Sequence, residues 1–280
     1  IGFDYFLDSI KSVVSLFQCI FLLYRMHEYA FFIHNIINLV KVNEQKPQVL
    51  YRRTSFVFCS KIIPMGSWSV IFICGLYVVI EAFAAFIFHK FHLMKSEGIR
   101  KFIHIATSFL IFPVLYGIDQ PMLRYVGPLF FVVFNAIAGY CGLGRIIGMD
   151  DEKRHLGLVI YPLSVAFLVF LFNEGYISPQ AASAGVMIMG LGDGMAAVVG
   201  TKWGKHKYRL SKSGSKSLEG TLAMMIASFL VVYFLTPGGF LVSFVVALAA
   251  SALENISPSG VDNATVPIIS SILLEALCRL

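Results

Sequence analysis

The chain has 280 residues, of which 58% are hydrophobic and 14% are charged, and its net charge is +6. Soluble domains carry about 25% charged residues, so this chain lacks the polar surface of a globular domain in water and is predicted to reside in a lipid bilayer. The excess of cations does not indicate nucleic-acid binding, because the basic residues lie in short loops beside apolar runs and form no basic helix.

Residues 1–65 are the least regular part of the chain. The first apolar run contains Asp4, Asp8 and Lys11, and residues 41–53 are polar and basic. Neither segment matches an uninterrupted span of about 20 apolar residues. We therefore interpret residues 1–65 as a membrane-associated region whose topology, interfacial or re-entrant, the sequence leaves open.

Apolar runs of nearly spanning length follow throughout residues 66–280. They are 68–89, 102–118, 122–140, 156–172, 181–199, 218–235, 240–253 and 266–277. Hydrocarbon offers no hydrogen-bond partners to the backbone, so these runs are predicted to be helices. The sequence thus predicts an all-α, polytopic transmembrane helix bundle of roughly eight to nine spans, in which residues 66–280 form one domain.

The loops between these runs are of two kinds. Residues 119–121, 173–180 and 236–239 are short and nearly free of cations. Residues 90–101, 145–155 and 201–216 are longer and basic. The positive-inside rule places the basic loops on the cytoplasmic side. Span counting agrees, because two spans separate each basic loop from the next and return the chain to the same side.

The first polar cluster on this predicted side is Arg100, Lys101 and His104. On a helix, Arg100 and His104 are four residues apart and share a face, so both can point at one anion. The alternative is a topology anchor that extends toward lipid headgroups, which is the usual role of an Arg-Lys pair beside a span.

The second cluster surrounds Asp193, which lies roughly 10 Å inside the end of its predicted helix. A carboxylate so near hydrocarbon is costly, and a divalent metal is its simplest partner. Gly192, Ala196, Gly200 and Gly204 leave a surface with few side chains, suited either to a phosphate chain or to close helix packing. Neither a Walker A loop nor a GxGxxG fingerprint is present.

The third cluster is a basic, Ser- and Gly-rich segment that leads into the next span. Lys205, Lys212 and Lys216 are separated by flexible residues, a composition that suits a triphosphate or a solvated basic loop. Ser217 is a candidate helix N-cap. Glu219, in the first turn of that helix, is a candidate second metal ligand beside Asp193.

The fourth cluster is a tight turn between the last two runs. It contains Glu254, Asp262 and Asn263. Asp262 or Asn263 is a candidate cap for the last helix. The two acids and the amide equally suit a site for a metal or for a substrate hydroxyl.

The four clusters, in this order, resemble the motifs of the CTP-dependent lipid kinases, the family of dolichol kinase and phytol kinase, which is related to the phosphatidate cytidylyltransferases. The resemblance covers about residues 98–280. The motifs are Arg100-Lys-x-x-His104, Gly192-Asp-Gly-x-Ala-Ala-x-x-Gly200-x-x-x-Gly204-Lys205, Lys216-Ser-x-Glu219-Gly220 and Gly260-x-Asp262-Asn263-x-x-Val-Pro267. The terminal Asp-Asn-x-x-Val-Pro is closest to the phytol kinase branch.

The resemblance implies a multi-pass membrane kinase, with residues 66–280 as the catalytic domain, that transfers the γ-phosphoryl group of CTP to a lipid alcohol with Mg²⁺ at the cytoplasmic face. It implies catalytic roles for Asp193, Arg100, Lys101, His104 and Asp262. Phosphate or nucleotide contacts are expected from Gly192, Gly194, Gly200, Gly204, Lys205, Lys212, Lys216, Ser217 and Asn263. The metal is expected at Asp193 and Glu219. Either Asp193 or Asp262 is placed to accept the proton of the lipid hydroxyl.

Three alternatives remain open at the level of the sequence. One is nucleotidyl transfer, although the Pro-Gly-His-Gly-Gly-x-x-Asp-Arg core of the cytidylyltransferases is absent. A CTP-dependent diacylglycerol kinase is another. A transporter is the third, and Glu81 in the middle of a span is its main support. The sequence is compatible with a homo-oligomer and does not indicate an organelle.

Overall fold

Helices make up nearly all of the described backbone, because a segment in hydrocarbon has to satisfy its own N–H and C=O groups. The computed structural model describes residues 66–141, 155–208, 216–258 and 260–280. The predicted all-α membrane class is confirmed for these ranges. The predicted N-terminal region, residues 1–65, lies outside the described residues, as does most of the basic loop 145–155.

The described residues form a series of α-helices. They are α1 (Ser67–Lys90), α2 (Ser96–Ser108), α3 (Val126–Cys141), α4 (His155–Asn173), α5 (Pro179–Met187), α6 (Gly194–Trp203), α7 (Leu218–Leu235), α8 (Gly239–Ile256) and α9 (Asp262–Arg279). Two π-helical turns, Pro113–Gly117 and Ile188–Asp193, and a 3₁₀ turn, Pro121–Tyr125, lie between them. A two-residue antiparallel hairpin, β1 (Lys207–Tyr208) with β2 (Lys216–Ser217), precedes α7.

Six helical segments of the described chain are long and apolar enough to cross a membrane. They are Ser67–Lys90, Ser96–Gly117, Pro121–Cys141, Pro179–Trp203, Leu218–Leu235 and Gly239–Ile256. The predicted eight to nine spans are therefore matched only roughly. Of the two remaining runs, the one in α4 is apolar but shorter, Gly157–Asn173, and α9 carries Asp262, Glu275 and Arg279 within its 18 residues.

The segment Pro179–Trp203 is the most buried of these six and lies at the centre of the bundle, in contact with α2, α7 and α9. Two glycines allow the close approach. A Cβ on Gly185 would lie 2.4 Å from the backbone oxygen of Pro267, and one on Gly190 would lie 1.7 Å from the Ser108 Oγ. Small residues therefore fix the distance between the central segment and its neighbours.

Glu81 of α1 faces the bundle, as expected for an acid inside a span. Its side chain is only 6% exposed and accepts a hydrogen bond of 2.7 Å from the hydroxyl of Thr107 on α2. This contact joins α1, most of whose residues lie outside the core, to its neighbour α2 and satisfies one carboxylate oxygen.

The short connections meet at one end of the bundle. Arg124 donates to Asn173 at 2.7 Å, and the Glu275 carboxylate accepts from the backbone N–H of Ser178 at 2.7 Å, so two of the short connections and the last turns of α9 are tied together. The 18 residues of α7 separate this end from the hairpin by about 27 Å. The polar clusters therefore lie at the opposite end.

Candidate active site

A cavity of about 460 Å³ opens at the end of the bundle that carries the polar clusters. Its wall combines acids, cations and residues with little or no side chain. The acids are Glu97, Asp193, Glu254 and Asp262, the cations are Arg100, Lys101, Lys207 and Lys216, and the glycines are Gly157, Gly200, Gly204, Gly220 and Gly260. Residues from all four predicted clusters thus share one cavity.

Lys101 and Asp193 form an ion pair between α2 and the π turn that precedes α6. The Lys101 ammonium group donates to Asp193 Oδ2, and the two side chains are 7% and 13% exposed. Asp193 is the last residue of the turn, where the wider helix leads into α6. The pair joins residues 92 positions apart and holds a carboxylate at the cavity wall.

Lys216 and Glu254 form a second ion pair, between β2 and the last turn of α8. The ammonium group lies 2.6 Å from Glu254 Oε1 and also donates to the Glu254 backbone oxygen. The side chains are 25% and 9% exposed, so the lysine faces the cavity more than the acid does. Each of the two buried carboxylates therefore has one lysine as its partner.

Arg100 remains close to its own helix. Its guanidinium group donates to Glu97 at 2.6 Å, and the two residues are three positions apart on α2. The charges of Asp193 and Asp262 both act on this guanidinium group. Arg100 is half-buried at the mouth of the cavity, where a phosphate group can compete with Glu97.

Asp262 begins α9, and its carboxylate is largely surrounded by protein. Burial, with the negative charge of Asp193 adding to it, raises the pKa of Asp262 to about 6. One oxygen accepts from the backbone N–H of Asn263 at 2.9 Å. With this pKa, the carboxyl group of Asp262 changes its protonation state just below neutral pH.

Asn263 and Ser217 line the cavity but have structural partners. Asn263 Nδ2 donates to the Gly157 oxygen at 2.9 Å, which joins α9 to α4. The Ser217 hydroxyl accepts from the Gly220 N–H at 3.1 Å, so Ser217 is the N-cap of α7 as predicted. Beside it, a Cβ on Gly220 would lie 2.8 Å from the Ala196 oxygen, and this absence of side chains lets α6 and α7 meet.

Several predicted site residues lie away from the cavity wall. A Cβ on Gly192 would face Ser228 and Met224 of α7, and one on Gly194 would lie 2.4 Å from Ile105 of α2. The helix-packing alternative therefore describes the placement of Gly192 and Gly194. Lys205 is not among the lining residues, and Lys212 lies outside the described residues.

Glu219 and His104 are likewise not among the residues that line the cavity. The carboxylate of Glu219 accepts from the backbone N–H of His206 and lies 2.8 Å from its Nδ1, so it holds the residue before the hairpin. The ring of His104 packs against Tyr161 at 4.1 Å, and its buried Nε2 has no hydrogen-bond partner. The metal role predicted for Glu219 and the catalytic role predicted for His104 stay predictions.

Sequence reasoning did not single out Glu97, Lys207 or Gly157 as residues of the site, and it considered Glu254 only as a member of the fourth cluster. Glu97 was detectable, because it lies one helical turn before Arg100. Glu254 was noted in the fourth cluster, but its ion pair with Lys216 depends on the hairpin, which has only two residues in each strand. Gly157 left no sequence signal, whereas Lys207 was one of several cations in the basic loop 201–216 and nothing distinguished it from the others.

The donor set of the cavity fits Mg²⁺. This ion is usually bound by one or two carboxylates together with substrate phosphates, and Asp193, Glu254 and Asp262 all line the cavity. Among the described residues, no group of three or more His, Cys, Asp or Glu side chains is already gathered to hold a metal. A metal here would therefore depend on phosphate oxygens for much of its coordination.

No family model and no solved structure matches the chain. Among characterised proteins, a phytol kinase from Synechocystis sp. is 33% identical over 220 residues, which cover 75% of this chain and 91% of the relative. Dolichol kinase sec59 from Schizosaccharomyces pombe is 27% identical over 75% of this chain, and the chain spans about half of that longer relative, 46%. CTP-dependent diacylglycerol kinase 1 from the same yeast is 24% identical over 40% of this chain and 46% of the relative.

The match to phytol kinase extends over almost the whole length of that relative, and the family resemblance inferred from the four motifs is confirmed. The chain belongs to the CTP-dependent lipid kinase family.

Proposed function

We propose that this protein is a membrane kinase that transfers the γ-phosphoryl group of CTP to the hydroxyl group of a prenol such as phytol, farnesol or dolichol. The supporting observation is the cavity, where Asp193, Glu254 and Asp262 lie among Arg100, Lys101, Lys207 and Lys216 at one end of an apolar bundle. Kinase activity on a lipid alcohol agrees with the relatives, which include phytol kinase and dolichol kinases. The name of the diacylglycerol kinase relative, which is CTP-dependent, supports CTP as the phosphoryl donor.

The cations of the cavity are suited to a triphosphate. Arg100 offers a planar group that binds two phosphate oxygens at once, and Lys101 and Lys216 offer compact charges. Their present partners are carboxylates, so phosphate oxygens can take over the same donors. We expect the cytosine base of CTP to lie toward the hairpin, whose first strand begins at Lys207.

Phosphoryl transfer asks the protein mainly for position and charge neutralisation. Asp193 together with a second acid of the cavity would hold Mg²⁺, which would supply positive charge to neutralise the triphosphate. Arg100 and the lysines hold the phosphate chain so that the γ-phosphorus faces the lipid hydroxyl. The low exposure of Lys101 and Asp193 strengthens these interactions by keeping water out.

In the proposed reaction, the oxygen of the lipid hydroxyl forms a bond to the γ-phosphorus while the bond to the β–γ bridging oxygen breaks, and CDP leaves. The hydroxyl proton passes to a carboxylate. Asp262 is better suited than Asp193, because Asp193 is bound by the Lys101 ammonium group whereas the pKa of Asp262 is raised to about 6. We therefore propose Asp262 as the general base.

The position of the cavity suits a substrate that is part lipid and part water-soluble. The cavity lies at helix ends, so an isoprenoid tail can remain in hydrocarbon while the hydroxyl meets a soluble nucleotide. The basic loops on this side favour the cytoplasmic face under the positive-inside rule. Residues 90–101 and 201–216 supply that charge.

The test uses purified protein in lipid nanodiscs with Mg²⁺ and CTP labelled at the α or the γ position. We expect the γ label to appear in phytol, farnesol or dolichol, and Asp193→Asn protein serves as the control. Transfer to diacylglycerol alone would change the acceptor class. Transfer of the α label with release of pyrophosphate would show a cytidylyltransferase, and no transfer to any of the four acceptors would overturn the proposal.

A further inference from the structure

Two lysine–carboxylate ion pairs lie on the wall of the cavity. Lys101 binds Asp193, and Lys216 binds Glu254, with both carboxylates nearly buried. Buried ion pairs stabilise proteins little, because removing both charges from water costs about as much as their attraction gains. Two such pairs on the wall of one cavity therefore point to a functional role.

The two pairs also influence each other. The charges of Asp193 and Lys101 both act on the carboxylate of Glu254, although Glu254 lies on a different helix. Asp193 acts on Asp262 as well. The three acids line one cavity, so a change of partner at one of them alters the electrostatic surroundings of the others.

Resting on the kinase function proposed above, we infer that Glu254 is a metal-binding residue of the site and that the lysines exchange partners when nucleotide enters. In the nucleotide-free protein, Lys216 and Lys101 neutralise Glu254 and Asp193. With CTP present, both ammonium groups bind phosphate oxygens. The two carboxylates they leave then bind the divalent cation.

The charges balance in this exchange. Two ammonium groups leave two carboxylates, and one divalent cation brings the same charge of +2. Without the cation, Asp193 and Glu254 would be left bare in a cavity that already contains Asp262, which is costly. Nucleotide and metal should consequently bind together, each favouring the other.

The hairpin is anchored in a way that permits the lysine to leave. The hydroxyl of Tyr208, on β1, donates to Asn255 Oδ1 at 2.6 Å. This contact holds the hairpin against α8 one residue beyond Glu254, independently of the Lys216–Glu254 pair. Lys216 can therefore turn toward a phosphate group without detaching the hairpin from the bundle.

The decisive measurement is the linkage between metal and nucleotide, namely the ratio of CTP affinities with and without Mg²⁺, determined by calorimetry in nanodiscs. In Glu254→Gln protein we expect this ratio to fall by about tenfold or more, the loss typical of a weakened metal site. CTP binding without Mg²⁺ should be at least as tight as in the native protein. Glu97→Gln is the matched control, since Glu97 lines the same cavity but pairs with Arg100, and its ratio should stay native.

A second variant tests the exchange without nucleotide. Lys216→Met removes the ammonium group that neutralises Glu254, so Mn²⁺ alone, followed by electron paramagnetic resonance, should bind more tightly than it binds to the native protein. Glu254→Gln in the same background should abolish that gain. Size-exclusion chromatography checks that each variant is folded, and Glu254→Asp, which keeps a carboxylate, should retain part of the linkage.

A native ratio in folded Glu254→Gln protein, or no gain of Mn²⁺ binding in folded Lys216→Met protein, would overturn the inference. These results leave the kinase function intact if the native protein still transfers the γ label. Conversely, native protein that transfers no label to any alcohol would overturn the proposed function itself.

Discussion

At the scale of single residues, two acids of the cavity differ in their surroundings. Asp193 is held by an ammonium group, whereas Asp262 is buried near another negative charge. The first environment favours the charged form, and the second favours the neutral form. Sequence spacing identified both acids, but only the fold gives them different partners and therefore different proposed roles.

Asp193→Asn tests the role of the first acid. We expect protein that inserts and folds but whose turnover falls on the order of 100-fold or more, because the metal loses a ligand and Lys101 loses its charged partner. Transfer of the γ label measures turnover, and size-exclusion chromatography checks the fold. Turnover within a few-fold of the native value would remove Asp193 from the mechanism.

The pH dependence tests the second acid. The protonated form of Asp262 cannot accept a proton, so turnover should decline as the pH falls through about 6. The stability of the fold should depend on pH in the opposite direction to turnover. In the unfolded chain the pKa is about 3.9, so the stabilising contribution of this group is complete below that pH and is lost as the pH rises through about 6.

The control is the residual turnover of Asp262→Asn protein measured over the same pH range. It should be low and should lack the decline near pH 6. If the variant shows the same decline as the native enzyme, the titrating group belongs to the nucleotide or to another residue, and Asp262 is not the general base.

Lys216→Ala tests the phosphate site. The variant should raise the KM for CTP much more than the KM for the lipid alcohol, since Lys216 lines the cavity and the alcohol tail lies in the bilayer. Steady-state kinetics with each substrate varied in turn provide the comparison. Equal changes in both KM values would argue against a phosphate contact.

At the scale of elements, the central segment Pro179–Trp203 shows where sequence reasoning stops. A helix over residues 181–199 was predicted, and the structure has one, but with a π turn at Ile188–Asp193 that the sequence did not reveal. Its small residues permitted two interpretations, phosphate contact or helix packing. Gly192 and Gly194 pack against helices, whereas Gly200 and Gly204 line the cavity, and only neighbouring helices distinguish these cases.

Two glycine substitutions compare a closely packed position, Gly185, with an open one, Gly75. Gly185→Ala should destabilise the bundle by about 1–3 kcal/mol, because its Cβ would lie 2.4 Å from a backbone oxygen of α9. Gly75→Ala on α1 meets nothing within 4 Å and should be neutral or stabilising by up to about 1 kcal/mol. Unfolding in detergent followed by circular dichroism measures both. Equal stability of the two variants would contradict the packing described for Gly185.

At the scale of the whole molecule, hydropathy and loop charge predicted most of the bundle. Span parity placed the polar clusters at one end, and the structure has them around one cavity. The number of spans was predicted less closely, because the last run belongs to α9, which also carries Asp262, Glu275 and Arg279 within its 18 residues. The partners in the ion pairs could not be predicted from the sequence either, since Lys101 and Asp193 are 92 residues apart.

Cysteine accessibility in sealed vesicles tests the two-ended arrangement. In a cysteine-free background, Lys202→Cys lies at the cavity end and Glu174→Cys at the other end, and both positions are exposed. An impermeant thiol reagent should label Lys202→Cys only from the cytoplasmic side and Glu174→Cys only from the opposite side. Labelling of both positions from the same side would exclude the arrangement.

The cavity draws its wall from segments spread between Glu97 and Asn263, and this has a consequence for biogenesis. A ribosome that has inserted every helix through α8 has produced a chain without Asp262, because α9 follows α8. Under the proposed function, such a partly synthesised chain lacks its general base in the translocon. Competence should appear abruptly, at the moment when α9 docks.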